Sequence, residues 1–389
     1  MHCVKSLQLQ LLQRIPTKAT MPHLYLFSSL TKTPNTLLLN YLIQTLNFSK
    51  TEAQSISNST RFYNVKSLEN PHCVLHYLQS LGFSETEIRS SVRSSPQILF
   101  SDVDKTLKPK IEFFQEMGLV GPDLCKFISS DSKLVTCSLE KSLIPSTQIL
   151  KKILLNDSNN KKLISVIRRL SWLITTNPER KLLSNIALFE SCGIVGSQLS
   201  MLLKTTPRIF VMEESYLRDL VSRVLDMGLL FRSKMFVHGL RLVSGMRAEL
   251  LERKLDLLRS FGFTKHEALQ IFRRQPTVFS KSEEQLKLRL DFFLNKIELK
   301  KEPLIGAPCC LAYSLEKRVI PRYRIIQILK SKRLLVKKEP SFLSVLSLSE
   351  QDFLEKFVAK FRDDAEELLV AYRGHLLDSS SSQEEKSCG

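Results

Sequence analysis

The sequence predicts an all-α protein, a helical-repeat solenoid of about seven to eight units of roughly 35 residues. Three glycines are each followed fourteen residues later by a proline, in the segments Gly82–Pro96, Gly193–Pro207 and Gly262–Pro276. A further glycine, Gly228, lies 35 residues after the second of these glycines and 34 before the third. A period near 35 residues is typical of stacked supersecondary units. No strand-like alternation of apolar and polar residues competes with it, so the units are predicted to be helical.

The first helix of a repeat is predicted from its N-terminal cap. An apolar residue, a hydroxyl residue and, three positions later, a glutamate occur in Phe48–Glu52, Phe83–Glu87 and Phe263–Glu267. This order is typical of a capping box with a hydrophobic staple, which starts a helix. The helix must end before the proline that follows, because the residue before proline disfavours the helical region and proline has no amide hydrogen to donate.

A second helix is predicted after each proline. Val103, Leu107, Ile111 and Phe114 follow one another at spacings of four, four and three residues, which places them on one face of a helix. A glycine such as Gly118 is predicted to end this helix in a left-handed turn. Each repeat is therefore predicted to contain two helices with a break between them.

The position of the proline recurs along the chain and is called here the slot. Counting slots gives seven repeats, at residues 96, 132, 171, 207, 242, 276 and 308. Ser132, Ser171 and Leu242 replace the proline, so the breaks there are predicted from spacing alone. An eighth, divergent repeat is predicted over Leu37–Leu81. Trp172, the only tryptophan in the chain, is expected to be a core residue.

Positive charge is concentrated in the C-terminal repeats. The chain has a net charge of +18, and residues 232–340 carry 25 basic and 11 acidic side chains. Residues 341–389 carry 5 basic and 10 acidic side chains. A basic segment of three repeats before an acidic end predicts a surface that binds a polyanion. The candidate nucleic-acid-binding residues are Arg273, Arg274, Lys317, Arg318, Arg322, Arg324, Lys332 and Arg333.

Arg318 and Arg322 are the contacts that we expect first. They are four residues apart, so on one helix they face the same way, and each planar guanidinium can grip a phosphate. The alternative is that they form a solvated face or pair with an acid such as Glu316. Phosphate contacts supply affinity but carry no sequence information. Tyr313 and Tyr323 lie among these cations, where they either stack on bases or belong to the core.

Several motifs occur in one order over about residues 37–362. Besides Gly-Phe-Ser and the fourteen-residue spacing, they are Leu107–Ile111, Ser314–Arg322 and Phe353–Val358. Through these motifs the chain resembles the mitochondrial transcription termination factor (mTERF) family, and most of all its plant members. The resemblance implies a superhelix of repeats, each with two α-helices and a short 3₁₀ turn, whose basic concave surface binds double-stranded DNA or structured RNA. It also implies a role in transcription termination, intron splicing or ribosomal RNA maturation, with organellar transcription, splicing or ribosome-assembly proteins as further partners.

Two functional classes stay open. The first is a non-catalytic organellar nucleic-acid-binding protein that regulates gene expression through a basic groove, and the basic repeats favour it. The alternative is a protein-binding helical solenoid that serves as an assembly scaffold in the organelle. The chain has no glycine-rich phosphate loop, nucleophile motif or His-Glu-x-x-His motif, so it is predicted not to be an enzyme. No cofactor, metal or membrane insertion is expected, and the protein is predicted to be a monomer.

The two ends of the chain differ from the repeats. Residues 1–51 carry five basic and no acidic side chains, a composition typical of an organellar transit peptide. We predict a transit peptide over 1–36 that is cleaved on import, the alternative being a basic disordered tail. Leu7, Leu11 and Arg14 on one face of an amphipathic helix favour the mitochondrion, with the chloroplast as the alternative. Residues 363–389 are predicted to be an acidic, largely disordered tail, which leaves 37–362 as the repeat domain.

Overall fold

A computed structural model describes residues 35–58, 62, 65–335 and 340–384, with the side chains of 375–384 excluded. Nearly all of the predicted transit peptide, 1–36, lies outside these residues, and so do residues 385–389 of the predicted tail. The transit peptide therefore stays a prediction.

The described part of the chain is all-α, which confirms the predicted fold class. It contains 22 α-helices and no strand. The helices are α1 Thr36–Gln44, α2 Lys50–Ser57, α3 Glu69–Ser80, α4 Glu85–Ser94, α5 Lys108–Glu116, α6 Gly121–Ser130, α7 Lys133–Thr136, α8 Ile144–Leu154, α9 Lys161–Arg169, α10 Trp172–Thr175, α11 Leu182–Ser191, α12 Gly196–Thr205, α13 Glu214–Asp226, α14 Phe236–Ser244, α15 Ala248–Ser260, α16 Lys265–Arg274, α17 Glu283–Asp291, α18 Lys301–Gly306, α19 Ile320–Ser331, α20 Phe342–Ser347, α21 Glu350–Leu354 and α22 Ala365–Glu384.

Short turns of two other kinds separate or open these helices. The 3₁₀ turns are Pro96–Phe100, Pro207–Val211, Pro276–Ser280, Pro308–Ala312 and Arg362–Asp364. The π turns are Val103–Leu107, Leu139–Leu143, Phe292–Lys296, Leu315–Val319 and Glu355–Ala359.

The capping boxes predicted for the first helices are confirmed. At Ser49, Ser84 and Thr264 the side-chain oxygen accepts a hydrogen bond from the amide of the glutamate three positions later. That glutamate in turn accepts one from the backbone amide of the capping residue. Two of the amides that have no partner inside the helix are thereby satisfied, and the start of the helix is fixed.

The second helix of several repeats opens with one wide π turn, which the sequence analysis does not anticipate. The amide of Leu107 donates to the carbonyl of Asp102 at 3.1 Å, and that of Val319 donates to Ser314 at 3.0 Å. A proline, Pro109 or Pro321, stands two residues further on in each case. Proline donates no hydrogen, and its ring crowds the carbonyl four residues earlier. The backbone therefore widens at this point.

The structure at each slot follows the local sequence. Proline slots form 3₁₀ turns, whereas the two serine slots form single α turns, α7 and α10. The break predicted at the slot of Leu242 is wrong, because α14 continues through this buried residue to Ser244. Without a proline, no missing amide donor interrupts the helix there.

Two compact units make up the described chain, the first ending at Asp219 and the second beginning at Leu220. In each unit the helices bury apolar side chains against neighbouring repeats. Phe114 and Phe189 are fully buried in the first unit, and Phe279 and Phe293 are fully buried in the second. Each repeat thus depends on its neighbours for burial, as in other helical-repeat proteins.

The predicted C-terminal boundary at residue 362 differs from the structure. Ala365–Glu384 is helical, and its side chains Leu368 and Tyr372 are buried. They belong to one cluster with Ile325 and Leu329 of α19. Acidic residues outnumber basic ones in this segment, but Leu368 and Tyr372 lie four residues apart and form an apolar stripe on the helix. The packed structure therefore extends at least to Tyr372, and the tail predicted from 363 is wrong over this part.

The glycine turns are also confirmed, and one of them yields a test. Gly262 has a φ of +83°, and a β-carbon there would meet nothing within 4 Å. Gly262→Ala is therefore expected to destabilise the protein by about 1–2 kcal/mol through backbone strain alone. Gly374, inside α22, also has open space around it but no positive φ. Gly374→Ala should leave stability unchanged or raise it by up to about 1 kcal/mol. Equal shifts of the denaturant midpoint in the two variants would contradict this account.

Candidate nucleic-acid interface

A buried hydrogen-bond donor recurs within the second helix in six of the repeats. Its side chain donates to backbone carbonyls of the short turn or loop at the next slot. The Lys254 ammonium, for example, donates to Phe279 at 2.8 Å, and the Asn185 amide donates to Met212 at 2.9 Å. We call these side chains the inter-repeat donors: Lys110, Ser146, Asn185, Lys254, Arg289 and Arg322.

Four of the six inter-repeat donors are cations, and all six are buried. Burial lowers the pKa of Lys110, Lys254 and Arg289. The carbonyl oxygens at the C-terminal end of a short helical turn carry partial negative charge, which offsets part of the cost of burying a cation. Part of the positive charge in the sequence therefore links repeats and is not available to a ligand.

Arg322 is one of these donors, so its proposed role as a phosphate contact needs correction. Its side chain is 0% exposed, and Nη1 donates to Val345 and Leu348 at 2.9 Å each. Nη2 donates to Glu350 at 3.0 Å, and the guanidinium lies 4.5 Å from the centroid of the Phe353 ring. No face of this guanidinium is free for a phosphate. Arg322 does follow Arg318 by four residues, but its side chain lies in the core and not on a shared surface.

Arg318 and Lys332 are also engaged within the protein. The guanidinium of Arg318 donates to the carbonyls of Leu346 and Leu348 and lies 4.5 Å from the Tyr313 ring centroid. Lys332 forms ion pairs with Asp364 and Glu367 at 2.6 and 2.5 Å. These two residues join α19 and its preceding π turn to the elements that follow. Their predicted role in nucleic-acid binding has no support from this geometry.

The other five predicted residues remain accessible to different degrees. Lys317, Arg324 and Arg333 are exposed and form no ion pair among the described residues. Arg324 borders a cleft of about 780 Å³ that Phe292 and Tyr323 also line. Arg273 and Arg274, at the end of α16, belong to a different and larger set of cations.

This larger set lies where the first helix of a repeat ends. Its members are exposed or half-buried cations in the last turn of that helix, or at the first two positions of the slot turn that follows. We call it the helix-end row. It contains Arg93, Lys133, Arg168, Arg169, Lys204 and Arg208 in the first unit, and Arg241, Arg273 and Arg274 in the second.

Within each unit, a member of the row donates hydrogen bonds to the end of the next first helix. The Arg169 guanidinium donates to the carbonyls of Lys204 and Thr205 at the end of α12. In the second unit, Arg274 donates to the carbonyl of Ile305 at 2.7 Å, near the end of α18. Each bond places the end of one first helix beside the end of the next. Cations at helix C-termini also interact favourably with the helix dipole, so part of the row is stabilising in itself.

Members of the row differ in how far other residues neutralise them. Arg93 pairs with Glu52 at 2.6 Å, and Arg168 pairs with Asp123 at 3.1 Å. By contrast, the exposed side chains of Lys133, Lys204 and Arg208 form no ion pair among the described residues. Among the members of the row in the first unit, these three are the most available to an external anion.

In the second unit the row borders a small cleft of about 230 Å³. Its lining includes His238, Arg241, Thr277 and Ser280. Burial lowers the pKa of His238, and the neighbouring charge of Arg241 lowers it further. Both effects favour the neutral imidazole of His238, and Arg241 supplies the positive charge of the cleft. A cation beside two hydroxyl groups is an arrangement suited to an anionic oxygen.

Sequence reasoning found the row only at Arg273 and Arg274. Net charge predicted a binding surface at residues 232–340, although several of the cations there are buried or form ion pairs. The signal that could have found the row is positional: a basic residue one to three places before the slot at Arg93, Arg168, Lys204, Arg241 and Arg273. Counting charge by repeat position, not by segment, separates this surface from the inter-repeat donors.

Comparison with known proteins places the chain among relatives with organellar names. The family model described as mTERF matches residues 75–305 and 245–354. The chloroplastic transcription termination factor MTERF8 of Arabidopsis thaliana is 21% identical over 258 residues, which cover 66% of this chain and 50% of that protein. The mitochondrial transcription termination factor MTERF15 of the same plant is 20% identical over 329 residues, which cover 76% of this chain and 73% of that protein.

The match therefore spans about half the length of the chloroplastic relative. Among the helices that the structure describes, none has the length and apolar character needed to cross a bilayer.

Proposed function

Because the chain belongs to the mTERF family, we propose that it is a non-catalytic nucleic-acid-binding protein that regulates gene expression in an organelle. The observation that supports this most is the helix-end row, a set of cations repeated at one structural position in each unit, where Arg169 and Arg274 donate to the end of the next first helix. The relatives named as transcription termination factors favour a role in termination, and splicing or ribosomal RNA maturation are the other outcomes to be tested.

The spacing of the row suits a nucleic-acid backbone. Packed helices lie about 8–10 Å apart, so successive repeats present a cation at roughly that interval. One strand of a duplex advances about 3.4 Å along the axis per phosphate. A duplex whose axis runs along the row therefore advances about two to three base pairs per repeat. Arginine and lysine at these positions supply affinity, and they do so without reading the base sequence.

We also propose that nucleic acid contacts Lys317, Arg324 and Arg333, as the sequence predicts. All three are exposed and lie in the second unit. The roles first proposed for Arg318, Arg322 and Lys332 are withdrawn, because their charged groups are already bonded inside the protein. We propose the mitochondrion as the site of action, with the chloroplast as the alternative, and a monomer as the acting species.

One experiment tests the proposed function directly. A tagged full-length chain is expressed in plant cells, its organelle is identified, and nucleic acid crosslinked to it there is sequenced. The expected result is enrichment of a small number of organellar loci or transcripts over a control tagged protein. In parallel, binding of the purified chain to those targets should weaken steeply as salt rises. Recovery of protein partners without any enriched nucleic acid would support the assembly-scaffold alternative instead.

A further inference from the structure

Trp172 lies on the surface, contrary to the expectation that it is a core residue. Its side chain is 45% exposed, and it is the only tryptophan in the chain. It is the first residue of α10, the single α turn at the slot of Ser171. The next two residues, Leu173 and Ile174, are completely buried. They anchor the turn in the core, so the indole is not needed for that purpose.

Trp172 belongs to a turn whose two neighbouring turns each carry a cation of the helix-end row. α10 packs against α7 on one side and against the turn Pro207–Val211 on the other. These two neighbours carry the exposed cations Lys133 and Arg208 at the same position of the repeat that Trp172 occupies. The ammonium of Lys181 lies 5.4 Å from the Trp172 ring centroid, and its charge is paired with Glu213. Even so, nearly half of the indole surface stays exposed.

A large aromatic ring at the surface forgoes the stabilisation that burial would give it. Trp172 lies in the chain of slot turns between Lys133 and Arg208, two exposed cations that form no ion pair among the described residues. A ligand that complements this arrangement has a flat apolar face and negative charge on both sides of it. An unpaired nucleotide within a strand has both features, whereas the bases of a duplex are stacked on one another and offer no free face.

We propose that Trp172 stacks on an unpaired base of a single-stranded segment, while Lys133 and Arg208 hold the phosphates that flank it. The inference rests on the proposed nucleic-acid function and adds to it a preference for unpaired nucleotides at the first unit. The stack supplies affinity for any base, because every base has a π face.

The single tryptophan makes the test direct, because emission excited at wavelengths that tyrosine does not absorb reports on this one residue. The purified chain is titrated with a single-stranded oligonucleotide and with a duplex of the same length, each as RNA and as DNA. We expect the single strands to quench the emission and the duplexes to leave it nearly unchanged. Trp172→Ala should weaken single-strand binding about 5- to 150-fold, the range that one base–aromatic stack contributes. The tighter of the two single strands identifies RNA or DNA as the ligand.

Two variants distinguish stacking from a general loss of structure. Trp172→Phe keeps a stacking ring and should retain most of the affinity. Val195→Ala removes an exposed apolar side chain at the opposite end of α12 from Lys204 and should change nothing. Trp172→Ala should also leave the salt dependence of binding unaltered, because no phosphate contact is removed.

The inference and the proposed function fail in different ways. If anisotropy of a labelled oligonucleotide shows single-strand binding, but the emission does not change and Trp172→Ala binds like the wild type, the stacking role is wrong and the proposed function stands. If neither single strand nor duplex binds by anisotropy, both are wrong. Capture of a protein on this face without any oligonucleotide response would also overturn the inference.

Discussion

Replacing Arg322 with methionine is expected to destabilise the C-terminal part of the protein by about 2–6 kcal/mol. The side chain is fully buried and donates to the carbonyls of Val345 and Leu348. Methionine fills much of the space but donates nothing, and each hydrogen bond lost from a charged donor costs about 1.5–3 kcal/mol. Arg318 still donates to Leu348, so the loss lies between that of one bond and that of two. Because each repeat contacts mainly its neighbours, the loss should be local. Hydrogen exchange should therefore speed up in α20 and α22 well before it does so in the first unit.

Arg324→Met is the matched control for this prediction. It removes the same charge from the same helix, but its side chain is exposed and forms no ion pair among the described residues. We expect its effect on stability to be within about 0.5 kcal/mol of zero. If Arg322→Met instead leaves protection in α20 and α22 unchanged and weakens nucleic-acid binding, the buried arrangement is wrong and the original expectation of a phosphate contact is restored.

The second large effect concerns binding. Replacing Lys133, Lys204 and Arg208 together by alanine should weaken nucleic-acid binding roughly 10²- to 10³-fold at 0.1 M salt, if each neutralises one phosphate. The slope of log affinity against log salt should become shallower by about 2.7 on duplex DNA, or by about 2.1 on a single strand. Both quantities are obtained from one series of anisotropy titrations at several salt concentrations.

The control for this variant keeps the change in charge and moves its position. Lys151 and Lys152 end α8, and Lys161 begins α9. All three are exposed. Lys161 lies at the end of α9 opposite to Arg169, about 12 Å along the helix. Replacing them by alanine lowers the net charge by the same three units. Equal losses of affinity and slope in the two variants would show that overall charge, not the helix-end row, governs binding.

The local elements of this protein follow from the sequence alone. The capping boxes at Ser84 and Thr264 and the glycine turn at Gly262 depend on residues within a few positions of each other. Such preferences act through hydrogen bonds and backbone sterics that need no distant partner. The period of these signals was enough to predict the helical repeat. Where a signal was missing, as at Leu242, the prediction failed, because spacing by itself does not interrupt a helix.

Only the tertiary structure determines which cations are buried and which are exposed. Arg322 and Arg324 are two residues apart in one basic segment, yet one is buried under carbonyls of the next repeat and the other is exposed. The buried donors find their acceptors 23 to 30 residues away, across a packing surface that composition does not reveal. Trp172 shows the converse, since its hydrophobicity predicts burial but Leu173 and Ile174 already fill the core beneath it. Charge and hydrophobicity set what a side chain can do, and the packing of neighbouring repeats sets which groups it meets.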